Sequence, residues 1–180
     1  MTVVARVCRA ARSALCIGRG VISNRPRRIP GVSYVGYQRY FLTTCTAQRH
    51  RAFERADIAQ SCMLQLRRSA AAHAFALAAY CFMLDHVHVL AYGTAEDADL
   101  QEFVVHFKKL TAFEYARLMG KRLWQPGYYD RVLRDDESTE AIARYVLENP
   151  IRAGLARSVG EYPFAGSDLY DARAILSAWE

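Results

Sequence analysis

Two histidines one residue apart, His86 and His88, lie in the apolar run from Tyr80 to Tyr92. On an extended strand, side chains at i and i+2 share a face, so both imidazoles look one way while Val87 and Val89 look the other. Neutral imidazole is the commonest protein metal ligand, and a strand fixes two such nitrogens without relying on a loop. The pair can therefore act as a two-pronged clamp for a divalent ion, or can be two ordinary half-buried strand residues. A second constellation lies downstream: Tyr145 and Asn149 are four residues apart in a helical pattern, which stacks a phenol and a carboxamide one turn apart on one helix face.

The elements that must position these groups are legible in order. Tyr40 to Thr46 alternates and is rich in aromatic and β-branched residues, which predicts a first strand. Ile58, Cys62, Met63 and Leu66 space an amphipathic helix over roughly 54–72. Ala74 to Met83 and His86 to Tyr92 predict a hairpin turning at Leu84-Asp85, so the histidines open its return strand. Acidic residues at 96, 97 and 99 precede Leu100, Phe103, Val104, Phe107 and Leu110, which mark a second helix with Lys108 and Lys109 on its exposed face. A linker between Gly120 and Pro126 holds Trp124, and Tyr128 to Leu133 predicts a further strand. A helix is expected over 136–149, ended by Pro150, and a short one over 168–179. Strand, helix, hairpin, helix, strand, helix gives an α+β fold: an antiparallel, ferredoxin-like sheet with helices packed on it.

The charge of +6 is unevenly placed: residues 1–30 hold seven arginines and no acid, leaving a net −1 over 31–180. Residues 1–31 are expected to form a disordered Arg-rich tail and 32–180 a single catalytic domain, with Pro26, Pro30 and Gly31 as punctuation. Such a tail fits a nucleic-acid arm, an organelle presequence, or upstream sequence taken in by a misplaced start codon. Five scattered cysteines without a CxxC pair read as reduced and intracellular, and no apolar run is long enough to span a membrane. A cytoplasmic protein is expected.

Four segments in this order, Tyr40-Phe-Leu-Thr-Thr-Cys-Thr46, Met83-Leu-Asp-His-Val-His-Val-Leu90, Leu123-Trp-Gln-Pro-Gly-Tyr-Tyr-Asp-Arg-Val-Leu-Arg134 and Arg144-Tyr-Val-Leu-Glu-Asn-Pro-Ile-Arg-Ala-Gly-Leu155, with Tyr162-Pro-Phe164 trailing, resemble the REP-associated tyrosine transposases. These are bacterial relatives of the single-tyrosine HUH transposases of insertion sequences. The family pattern has proline where this chain has Leu84, and residues 1–30 have no counterpart in it.

The resemblance implies an enzyme: a single-strand DNA endonuclease and strand transferase for REP-type hairpins, with Tyr145 as nucleophile forming a 5′-phosphotyrosine. It implies a divalent metal, Mg2+ with Mn2+ also plausible on chemical grounds, held by His86 and His88 with Asn149 at the third-ligand position. The expected partner is single-stranded, hairpin-forming DNA, bound in the cytoplasm by a monomer in association with the nucleoid. Lys108, Lys109, Arg131 and Arg134 are candidates for phosphate contacts, and Trp124, Tyr128 and Tyr129 for base stacking. Two other functions fit the same residues: a domesticated DNA-binding module that no longer cuts, and a metal hydrolase in which the histidine pair activates water.

Overall fold

The computed structural model describes residues 33–170. Its centre is a five-stranded antiparallel sheet made of β1 (Arg39–Cys45), β2 (Phe75–Met83), β3 (His86–Gly93), β4 (Tyr129–Val132) and β5 (Ala165–Gly166), in the order β4-β1-β3-β2-β5. The helices are α1 (Ala56–Ala72), α2 (Leu100–Met119), α3 (Thr139–Leu147) and the short α4 (Asn149–Arg152). The first four strands with α1 and α2 form the split βαβ arrangement expected of a ferredoxin-like domain.

Each strand divides its residues between two cores. Tyr40, Leu42, Tyr80, Phe82, Val87 and Val89 join Ile58, Cys62, Leu66, Phe103, Val104 and Phe107 from α1 and α2. On the opposite face Phe41, Cys81, Met83 and Leu90 meet Ala143, Val146 and Leu147 from α3. Helices therefore cover both faces, and the histidines belong to the face under α3. In β2 the alternation is broken by an irregularity between Leu77 and Ala79, which leaves Ala78 and Ala79 together on the α3 side. That extra residue lets Phe75 and Leu77 share the α1/α2 core with Tyr80 and Phe82.

Local chemistry explains most boundaries. Asp99 starts α2 by accepting from the backbone N–H groups of Gln101 (2.7 Å) and Glu102 (3.2 Å), and Gly120 ends it in a left-handed conformation. The helix runs well past Leu110 because Thr111 and Tyr115 carry its buried stripe onward; the intervening Phe113 is 72% exposed and masks the periodicity. Ser138 caps α3 through Ala141 N at 3.1 Å. Pro150 does not end the helical path as the sequence suggests. It falls in the first turn of α4, where its missing N–H leaves no intrahelical bond unmade. At the far end of the hairpin a side chain at Gly93 would collide with the Gly36 carbonyl oxygen. β5, too short to show in the sequence, pairs with the edge of β2 through Tyr80↔Gly166 and Cys81↔Ala165.

The expected Arg-rich tail of residues 1–31, and the domain start at 32, lie outside the described residues. Of the helix expected over 168–179, residues 168–170 form bends and the rest also lies outside. Among the described residues no helix is long and apolar enough to cross a membrane.

Trp124 is a core residue. Its ring is 3% exposed, packs on Phe53 and Phe107, and donates Nε1–H to Thr111 Oγ1 at 2.8 Å. A ring so enclosed has no face left for a nucleobase, which corrects its candidacy as a stacking platform. Replacing Thr111 with valine leaves the buried indole N–H without this acceptor and should lower unfolding free energy by about 1–3 kcal/mol. Urea titration followed by tryptophan fluorescence measures this, and an unchanged midpoint would contradict the assignment.

Candidate active site

β3 presents His86 and His88 on the α3 face because their neighbours Val87 and Val89 are claimed by the larger core. Antiparallel pairing with β1 sets Thr43 opposite His88 and Cys45 opposite His86. The two Nε2 atoms are 3.2 Å apart, with ring centroids 4.7 Å apart and the planes at 82°. His86 Nδ1 is 2.6 Å from Asp85 Oδ1, and Asp85 Oδ2 in turn binds Arg49 Nε at 2.8 Å. His88 Nδ1 is 2.8 Å from Thr43 Oγ1, and its ring stacks on Phe41 at 5.5 Å.

These contacts determine which nitrogens are available. An ionised carboxylate only accepts, so Nδ1 of His86 carries a proton and its Nε2 faces Nε2 of His88. Burial, the neighbouring His86 and the cations Arg152 and Arg49 push His88 well below its ordinary pKa and keep it neutral. Burial alone would raise the Asp85 carboxyl; the hydrogen bond with His86 and the Arg49 guanidinium outweigh it and hold Asp85 below the usual range. Two imidazole nitrogens facing each other need a proton or a cation between them, and Thr43 can donate or accept in either state.

The donor set suits an ion. At metal–nitrogen distances of about 2.1 Å, nitrogens 3.2 Å apart are adjacent ligands of a single centre. A carboxylate behind one ligating histidine is the usual support that fixes its tautomer. Among the described residues no group of three or more His, Cys, Asp or Glu could hold a metal; a carboxamide oxygen is a ligand of another type. The Asn149 carboxamide is of that type. Its Nδ2 donates to the carbonyls of Tyr145 (3.0 Å) and Val146 (3.3 Å), so its oxygen is the atom of ligand type.

α3 brings Tyr145 over this pair. Its ring lies 6.4 Å from that of His88 and meets Phe41 edge-on at 6.2 Å. The structure thus unites His86, His88 and Tyr145, with Asn149 one turn along from the tyrosine. Asp85, Thr43, Arg49 and Arg152 escaped the sequence reading. Asp85 and Thr43 adjoin or pair with the histidines and could have been found from strand register. Arg152 is two turns from Tyr145, a spacing hidden by the expectation that Pro150 stops the helix.

The candidate DNA contacts separate. Tyr129 faces the histidine side, whereas Tyr128 packs on the α1/α2 core. Lys109 and Arg134 are exposed, and Arg131 is ion-paired with Glu137. Lys108 does not extend into solvent: its Nζ donates to the carbonyls of Gln125 (3.1 Å) and Gly127 (2.5 Å) and lies 5.9 Å above the Trp124 ring. It anchors the loop before β4, and burial pushes its ammonium down to about 8.

The fold is a ferredoxin-like α+β sheet that gathers a histidine pair and a tyrosine on one face. The chain belongs to the IS200-like transposase family, whose model, "Transposase IS200 like", matches residues 35–149. The structure is similar to a REP-associated tyrosine transposase bound to a REP hairpin, with a TM-score of 0.62 at 19% sequence identity, covering 80% of this chain and 82% of that one. This bears out the fold and the kinship expected from the motifs. A candidate transposase of Deinococcus radiodurans R1 is 26% identical over 67% of this chain and 96% of its own, with a TM-score of 0.48. No curated protein gives a significant match.

Lys108 yields a pH test. Its folded pKa of about 8 is below the ordinary value of 10.5, so between these limits the unfolded chain binds more protons and stability rises with pH. The stabilisation is complete above 10.5 and lost as pH falls through 8. Urea midpoints measured across that window should climb in the native chain and climb less in Lys108→Met; parallel profiles would contradict the buried ammonium.

Proposed function

We propose that this transposase is a metal-dependent single-strand DNA endonuclease and strand transferase that recognises REP-type hairpins and cuts through a covalent bond to Tyr145. The observation that carries the reading is the convergence of two imidazole nitrogens, 3.2 Å apart, beneath a helix-borne tyrosine. The related transposase that shares the fold is bound to a REP hairpin.

His86, His88 and the Asn149 oxygen would hold the ion, and Asp85 and Thr43 would orient the two rings. A divalent cation, Mg2+ or Mn2+, supplies Lewis-acid polarisation of the scissile phosphate when bound there. Tyr145 Oη attacks phosphorus, the bond to the 3′ oxygen breaks, and a 5′-phosphotyrosine and a free 3′-OH result. The phenolic proton is lost and the departing oxygen gains one. Because the phosphodiester is exchanged for another ester, joining needs no nucleotide cofactor. Lys109, Arg131 and Arg134 would contact phosphates and Tyr129 would stack on an unpaired base at the sheet edge.

Phenylalanine at position 145 keeps the ring and its contacts while removing the attacking oxygen. Tyr145→Phe should fold and bind hairpin normally yet form no covalent adduct with an end-labelled hairpin oligonucleotide. Mass spectrometry that places nucleotide on Tyr128 or Tyr129 would refute the assignment of Tyr145, and continued cutting by the variant with no adduct on any tyrosine would admit the hydrolase reading.

The metal reading makes a separate demand. Asp85→Asn weakens the partner of His86 Nδ1, and Mn2+ affinity measured by calorimetry should fall about tenfold or more. Cleavage should stop in EDTA and return with Mg2+ or Mn2+; cutting that persists in chelator would exclude a metal role.

A further inference from the structure

Arg152 packs its guanidinium on the Tyr145 ring, Cζ lying 4.3 Å from the centroid. Both ends of the fork are tied. Nη2 donates to the carbonyl oxygen of Tyr145 itself, and Nη1 donates to Glu148 Oε2 at 3.1 Å. Glu148 is held from its other side by Arg144 Nε, 2.6 Å from Oε1. An Arg-Glu-Arg row thus runs along the junction of α3 and α4 and ends over the tyrosine ring. Phe41 and His88 approach the same ring edge-on.

We propose that Arg152, braced by Glu148, is a positioning residue that holds the Tyr145 ring in its attacking orientation over the histidine pair. This rests on Tyr145 being the nucleophile. The physical reason is geometric. A tyrosine on the last turn of a nine-residue helix has two rotatable side-chain bonds, and a small error in oxygen placement is costly for an in-line attack. Phe41 restrains one side of the ring; the planar guanidinium supplies a complementary surface, and its two hydrogen bonds stop it from swinging away. A lysine would keep the charge but lacks both the plane and the fork. The inference therefore separates orientation from simple positive charge.

The test uses the full chain and an end-labelled hairpin oligonucleotide from its own genomic neighbourhood, in single turnover with Mg2+. Arg152→Lys and Arg152→Gln should cleave about tenfold or more slowly at saturating DNA, while hairpin Kd stays within about twofold. Circular dichroism and thermal midpoints should match the native chain. Glu148→Gln should slow cleavage less, and combined with Arg152→Lys it should add nothing, because Glu148 acts through Arg152. Cleavage by Arg152→Lys at the native rate would overturn the proposal, since charge alone would then suffice. A defect that vanishes at saturating DNA would also overturn it, by making Arg152 a contact to the strand. Covalent capture by a tyrosine other than Tyr145 in the native chain would remove the underlying reading, a result visible before any Arg152 variant is made.

Discussion

The register between β1 and β3 is the constraint on which the site depends. Pairing Thr43 with His88 and Cys45 with His86 puts both imidazoles on the α3 face and both intervening valines in the larger core. A slip of one residue would turn every side chain over, burying two imidazoles against α1 and α2 and lifting Val87 and Val89 toward Tyr145. The slip is opposed by aromatic and aliphatic residues on both faces at once, because Phe41 and Leu90 on one side and Tyr40, Leu42 and Val89 on the other have separate cores to fill. Burial of ordinary apolar side chains thereby fixes the position of the polar ones.

Electrostatics refines what the sheet positions. The outward nitrogens of the two imidazoles are held by different partners, one a carboxylate braced by Arg49 and one a neutral hydroxyl. The carboxylate makes His86 the more electron-rich ring, and burial keeps His88 neutral. Arg152 and Arg49 add positive charge beside His88, and together with burial they keep a proton off that ring.

Much of this was legible in the sequence because the decisive elements follow simple periods. Alternation marked β1, two apolar runs about the turn at Leu84-Asp85 marked β2 and β3, and the three-and-four spacing marked α1 and the start of α2. The fold class and the kinship read from the motifs hold. Long-range pairing was harder to read. Nothing in composition shows that Trp124 points at Thr111, or that Lys108 bends back to Gln125 and Gly127 instead of reaching solvent. Both residues sit beside a loop whose path is set by contacts far away in sequence. Arg152 was lost to a local rule: proline usually stops a helix, but here the chain turns helical again with Pro150 in its first turn.

The irregularity in β2 gives this strand one residue more than its partner needs. Leu77 pairs with Ala91 and Ala79 with Leu90, while Ala78 has no opposite number. The hairpin end, where Met83 meets His86, is thus geometrically uncoupled from the end where Phe75 meets Gly93. A shortened chain lacking Ala78 could pair without the bulge and still send Phe75, Leu77, Tyr80 and Phe82 to one side. A length change of this kind in a central strand ordinarily inverts half of its side chains. Here the spare residue works as an expansion joint: loss of the position at Ala78 would leave both halves of the strand facing as they do while the two imidazoles keep their address.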